Sequence, residues 1–210
     1  MDFDPATLPK GQEINPLAFP NDVNIDAWMF DVIKPYIKGR TLEIGSGNDN
    51  IISCFFNKDL PLHLSNIDRE NCRLLFEKYK TNPLVRSVRR IDLGRVEFNI
   101  VHADLIGKFL TVVKLNPLYA RSINELELAH AHLLLREGGY LIVLIPAYTA
   151  SYDRIEHDID LIRMSNRSYV RRLIGPLFEI RKTQYLNLPP LSNGMQGQSG
   201  LSAIIVAQKV

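Results

Sequence analysis

Arg40-Thr41-Leu42-Glu43-Ile44-Gly45-Ser46-Gly47, followed by the apolar run Ile51-Ile52-Ser53-Cys54-Phe55-Phe56, is the stretch on which the fold turns. It reads as a short strand entering a glycine turn, with a buried helix beyond it. In a doubly wound α/β sheet, ligands bind past the C-terminal ends of the strands, where the strand order reverses, and the first strand normally ends there. Glycine lets the backbone turn sharply and come close to a bound group. Gly45 and Gly47 are therefore the first candidate binding element. Any tight turn can use two glycines, so the reading rests on what surrounds them.

Upstream, Ile25, Trp28, Met29, Val32, Ile33 and Tyr36 form a helical stripe that ends at Gly39. Before it, residues 1–22 carry Pro5, Pro9, Pro16 and Pro20 and read as an irregular arm. Downstream, Leu62 to Ile67 reads as a second strand, and Cys72, Leu75, Phe76 and Tyr79 as the stripe of the next helix. Val85 to Ile91 is a third strand. Residues 96–106 are read as helix, because Phe109 to Leu115 then supplies the fourth strand. Ser122 with Glu125 is read as a capping box that opens a helix stopping at Gly138-Gly139. Tyr140 to Pro146 is all apolar, as a strand buried on both faces should be. Phe178 to Tyr185 and Leu201 to Gln208 close the chain as two strands without an intervening helix, which pair antiparallel. The expected architecture is a seven-stranded, mostly parallel, doubly wound sheet with helices on both faces and an antiparallel C-terminal strand pair, formed by residues 23–210.

A chain of 210 residues fits one domain with a full-sized core. Apolar residues make up 46% and charged residues 23%, an ordinary soluble composition. Lys plus Arg number 25 and Asp plus Glu 23, a net charge of +2, so there is no strong signal for nucleic acid or an anionic membrane. Arginines 86, 89, 90, 95, 171 and 172 read as solvated surface. The two cysteines, Cys54 and Cys72, have no metal-site spacing and read as buried free thiols of a reducing compartment. The N-terminus lacks the apolar core of a signal peptide, and no apolar run is long enough to span a bilayer. The expected setting is the cytoplasm, with no metal.

Five segments in order carry a family resemblance: GRTLEIGSG, RRIDLGRVEF, FLTVVKLNPLYA, LLLREGGYLIVLIPAY and GLSAIIVAQKV. Together they resemble the class I S-adenosylmethionine-dependent methyltransferases, and more narrowly the bacterial enzymes often associated with sugar or lipid biosynthesis. The resemblance spans residues 23–210 in outline and implies a Rossmann-like fold with S-adenosylmethionine as cofactor. Carried over residue by residue, it implies that Glu43, Gly45, Ser46 and Gly47 contact the amino-acid half of the cofactor. It implies that Asp92, with the backbone of Leu93, holds the adenine amino group, and that Asn116 lies beside the transferring methyl. The acid that clasps the ribose falls at Asn66, with Asp68 as the competing assignment; Asp68 also reads as a helix N-cap. The family's third loop glycine falls at Asp49. With a neutral amide at 66 and an added charge at 49, cofactor affinity is expected to be weak for the fold.

The reaction this implies is methyl transfer to an oxygen or nitrogen of a small-molecule substrate. Two alternatives stand beside it. One is a catalytically inactive domain of the same fold, acting as partner or scaffold. The other is an amine N-methyltransferase, since Asn116-Pro117-Leu118-Tyr119 resembles the NPPY signature with one mismatch. In that pattern the Asn oxygen accepts from the target amine and the ring of Tyr119 packs on it. His130 and His132 read as satisfied core or solvent positions on a helix, and His157 as a residue of the substrate-side segment.

Overall fold

The computed structural model of the chain describes residues 24–47, 49–115, 123–146, 167–188 and 200–210. Helix α1 (Ile25–Ile33) is opened by Asn24, whose side chain accepts from the Ala27 N–H at 3.0 Å, and runs into a 3-10 turn at Lys34–Tyr36 where Pro35 ends the helical ladder. Strand β1 (Thr41–Ile44), helix α2 (Asp49–Phe56), strand β2 (Leu62–Asn66), helix α3 (Arg69–Tyr79) and strand β3 (Val85–Arg90) follow. The region read as helix is a short helix α4 (Phe98–Val101) and a 3-10 turn at Ala103–Leu105. Strand β4 (Phe109–Lys114), helix α5 (Glu125–Leu134), strand β5 (Leu135–Pro146), helix α6 (Arg167–Ile174) and strands β6 (Phe178–Leu188) and β7 (Gly200–Lys209) complete it.

The strand order is β3-β2-β1-β4-β5-β7-β6. The first five pair in parallel, and β7 runs antiparallel between β5 and β6. This is the expected seven-stranded sheet. After β3 the chain crosses to the far side of β1, so the strand order reverses between β1 and β4, the place where open α/β sheets hold ligands beyond the C-terminal strand ends.

Alternation along the central strands fills a core on each face. Leu141, Val143 and Ile145 of β5 and Ala203, Ile205 and Ala207 of β7 pack on one side with Phe98, Leu128 and Leu134. Ile142, Ile204 and Val206 pack on the other with Met29, Phe30, Ile52 and Phe55. Both strands are buried on both faces, which is why they read as continuous apolar runs.

Two local expectations are corrected. The capping box sits two residues further on, at Asn124 and Glu127: Asn124 Oδ1 accepts from the Glu127 N–H at 2.8 Å and Glu127 Oε2 from the Asn124 N–H at 3.2 Å. Buried Ile123 anchors the chain just ahead of Asn124, and Asn caps a helix as well as Ser. Ser122 lies outside the described residues. Helix α5 also ends earlier, at Leu134, and β5 already begins at Leu135. Its last carbonyls find distant donors: Gly107 N–H reaches Leu133 O at 2.8 Å, Lys108 N–H reaches Leu134 O at 3.1 Å, and Lys209 Nζ reaches His132 O at 3.1 Å. Gly138, at φ +73°, instead serves an irregularity in β5, where the register with β4 jumps from Phe109–Leu135 to Thr111–Tyr140.

Candidate functional site

The turn after β1 is stapled to the tip of β2. Gly45 adopts φ +81°, a conformation open to glycine and costly for other residues. The Ser46 N–H donates to Ser65 O at 2.7 Å. Ser46 Oγ donates to Glu43 Oε2 at 2.9 Å and accepts from the Ser65 N–H at 3.2 Å. Ser65 Oγ donates to Glu43 O at 2.8 Å. All of this is buried: Glu43 is 5% exposed, and Ser46 and Ser65 are sealed from solvent. A carboxylate taken out of water needs such donors. Ser65 carries no motif signal, and its part in the site follows only from the parallel pairing that sets it opposite Ile44.

Asn66 completes the staple. Its Nδ2 donates to Ser46 O at 2.7 Å, and its Oδ1 accepts from the Asp68 N–H at 2.8 Å, leaving the residue 8% exposed. Asp68 is exposed and caps α3, its Oδ1 accepting from the Asn71 N–H at 2.8 Å. Of the two competing ribose positions, Asn66 therefore adjoins the glycine turn, while Asp68 is engaged at a helix start. Asp49 is the first residue of α2.

Gly47 differs from Gly45. Its φ lies outside the left-handed range, and among the described residues a Cβ built there meets only Asn66 Nδ2 and Gly45 O, both at 3.9 Å. Among the described residues nothing crowds the position, so none of them requires glycine at 47. The bare backbone keeps open the space that a side chain would fill.

The turn after β3 comes to the same edge. The Ile91 N–H donates to Asn66 O at 3.1 Å, tying the two strand tips together. Asp92 is half-buried, and its Oδ1 accepts from the Gly94 N–H at 2.9 Å. The Leu93 side chain is buried in the core, and its carbonyl accepts from His130 Nδ1 at 2.6 Å. Ile67, 56% exposed, stands just beyond Asn66. Cys72 Sγ lies 3.4 Å from Asn66 O, and burial pushes its thiol pKa up, away from thiolate reactivity.

Glu43, Gly45, Ser46, Gly47, Asn66, Asp92 and Leu93 thus share one edge of the sheet. Asn116 and Tyr119, with the rest of the Asn116-Pro117-Leu118-Tyr119 segment, and His157 lie outside the described residues. Among the described residues no cluster has the makings of a metal site, and no helix is long and apolar enough to cross a membrane.

No protein-family model matches this sequence, and no curated protein matches it either. Solved structures match it in fold. The CurJ carbon methyltransferase superimposes with a TM-score of 0.59 at 18% identity over 88% of this chain, which spans 54% of that protein's chain. A SAM-dependent methyltransferase from Methanosarcina mazei matches with a TM-score of 0.60 at 16% identity, covering 85% of this chain and 97% of its own. The geranyl diphosphate C-methyltransferase of Streptomyces coelicolor, solved with Mg2+, geranyl diphosphate and S-adenosyl-L-homocysteine, matches with 0.61 at 9% identity over 93% of this chain and 85% of its own. The chain has the Rossmann-like fold of the class I S-adenosylmethionine-dependent methyltransferases.

Proposed function

We propose that this protein binds S-adenosylmethionine and transfers its methyl group to an oxygen or nitrogen of a small metabolite. The observation that carries the reading is the edge built by three successive turns: a buried polar staple holds the turn at 45–47, Gly47 leaves its backbone bare, and Asp92 stands at the neighbouring strand tip. These donors and acceptors suit the cofactor's separate parts. In this reading Glu43, Gly45, Ser46 and Gly47 face the amino-acid half. Asn66, with one amide hydrogen and one lone pair beyond those already used, takes the ribose hydroxyls. Asp92 and the Leu93 N–H take the adenine edge, and Asn116 and Tyr119 stand at the acceptor side. We further assign residues 23–210 to one domain preceded by an arm at 1–22.

When bound, the cofactor supplies an already activated sulfonium methyl. The protein's own task is then alignment of the acceptor and exclusion of water, which demands few obligatory side chains. Titration calorimetry with S-adenosylhomocysteine tests the reading. The parent should bind, with affinity toward the weak end for such a fold. Gly47→Trp should abolish binding while leaving the melting temperature close to that of the parent, because among the described residues the new Cβ meets nothing closer than 3.9 Å. Equal binding by the variant refutes the site; no binding by the parent at millimolar ligand favours a non-catalytic scaffold.

A further inference from the structure

The peptide unit joining Leu93 to Gly94 is held at both ends. Its carbonyl oxygen accepts from His130 Nδ1 at 2.6 Å, and its N–H donates to Asp92 Oδ1 at 2.9 Å. A carbonyl can only accept, so Nδ1 of His130 carries a proton. The imidazole is itself fixed. It is 6% exposed and stacks on the fully buried Phe98, with ring centroids 4.4 Å apart and planes 13° from parallel. His130 belongs to α5 and Phe98 opens α4, so two helices hold a ring whose hydrogen bond is aimed at the turn after β3.

A hydrogen bond accepted at an amide carbonyl strengthens the N–H of the same amide as a donor. His130, the Leu93–Gly94 peptide and Asp92 Oδ1 therefore form a relay that fixes the carboxylate. Among the described residues only Oδ1 of Asp92 is engaged, and Oδ2 accepts from no donor.

We propose that His130 is a positioning residue for adenine recognition: acting through the Leu93–Gly94 peptide, it orients Asp92 so that its second oxygen accepts from the 6-amino group. This rests on the cofactor reading above. The hydrogen bond to Leu93 makes His130 more than filler for an aromatic core, since a Phe would stack on Phe98 equally well.

The test compares two ligands by calorimetry: S-adenosylhomocysteine, and S-inosylhomocysteine, which differs in carrying a 6-oxo group in place of the 6-amino group. The parent should prefer the adenine ligand, because a 6-oxo group faces the carboxylate with an acceptor. His130→Phe keeps the stack and removes the donor, and should cut that preference by about tenfold, the equivalent of one hydrogen bond. His130→Asn restores an N–H near the position of Nδ1 and should recover part of it. A packing role alone lowers affinity for both ligands in proportion, so an unchanged preference in His130→Phe overturns the proposal. Should that variant fail to fold, nitrogen-15 NMR of the parent decides: His130 protonated at Nδ1 and coupled to the Leu93 carbonyl supports the relay, and an Nε2-protonated tautomer overturns it. A parent that binds neither ligand overturns the cofactor reading and the relay together. A parent that binds S-adenosylhomocysteine, and keeps its preference in Asp92→Ala, overturns the relay alone.

Discussion

Asn66 is held by two partners that demand opposite things of it. Ser46 O, at 2.7 Å, requires a donor, and the Asp68 N–H, at 2.8 Å, requires an acceptor. A carboxamide supplies both, whereas a carboxylate can only accept, and the amide orientation is set by the partners. The neutral residue at a position where the family resemblance expects an acid thus has a structural cause. Asn66→Asp would set a carboxylate oxygen against the Ser46 carbonyl and leave that carbonyl without its donor. We expect it to cost about 1–3 kcal/mol of stability in urea unfolding, the usual penalty for an unmade buried hydrogen bond. An acid at 66 that left stability unchanged would show that the staple contributes little.

At the scale of an element, the end of α5 is instructive. A helix leaves its last carbonyls without intrahelical partners, and a glycine turn is one common remedy. Here the remedy is a strand. Lys209, near the end of β7 and only 11% exposed in its side chain, donates to His132 O at 3.1 Å and Leu135 O at 3.0 Å and pairs with Glu137 at 3.3 Å. A cation at a helix C-terminus is favourable in its own right. Lys209→Met keeps the stem and deletes the ammonium. It should cost about 2 kcal/mol, which for a chain of this size lowers the melting temperature by roughly 4–8 °C in calorimetry. The same ammonium, second to burial, holds the His132 pKa below its ordinary value.

Across the whole molecule the two ends of the sheet have different work. The C-terminal strand ends carry the candidate site. The other end carries a basic cluster around His63 at the start of β2. There Arg40 Nε donates to His63 Nε2 at 3.0 Å, His63 Nδ1 lies 2.8 Å from Ser87 Oγ, and the ring meets Phe109 edge-on. Burial, and then the nearby Arg40, Arg86 and Arg89, push the His63 pKa down to about 4. The unfolded chain takes up that proton near the ordinary value of 6.5, so between these two values the unfolded state binds more protons than the folded one. Stability should be full above pH 6.5 and fall as the pH drops toward 4. In a series of melts across that range, His63→Gln should flatten the decline, and an unchanged slope would assign it to other groups. Binding of S-adenosylhomocysteine at pH 7 should not respond, because the hydrogen bonds of His63 go to Arg40 and Ser87 and not to the residues that hold the glycine turn.

The alternation of strands and helices, the glycine turn after Ile44 and the antiparallel closing strands are legible in the amino-acid order alone. Each of these is written in local chemistry: period-two or continuous apolar runs, and a residue whose backbone reaches φ +81°. The amino-acid order also carried the list of residues along the candidate edge, because three successive turns of a parallel sheet fall on the same side. Other features depend on contacts between segments far apart in the chain. The capping box at Asn124 depends on buried Ile123 as an anchor, and the end of α5 on donors from Gly107, Lys108 and Lys209. Ser65, Asn66 and His130 acquire their partners only when β1 pairs with β2 and α5 packs on α4. The physical reason is common to all of these. Propensity and pattern choose an element from its own residues, whereas a buried polar group must find its partner wherever the fold brings one within about 3 Å.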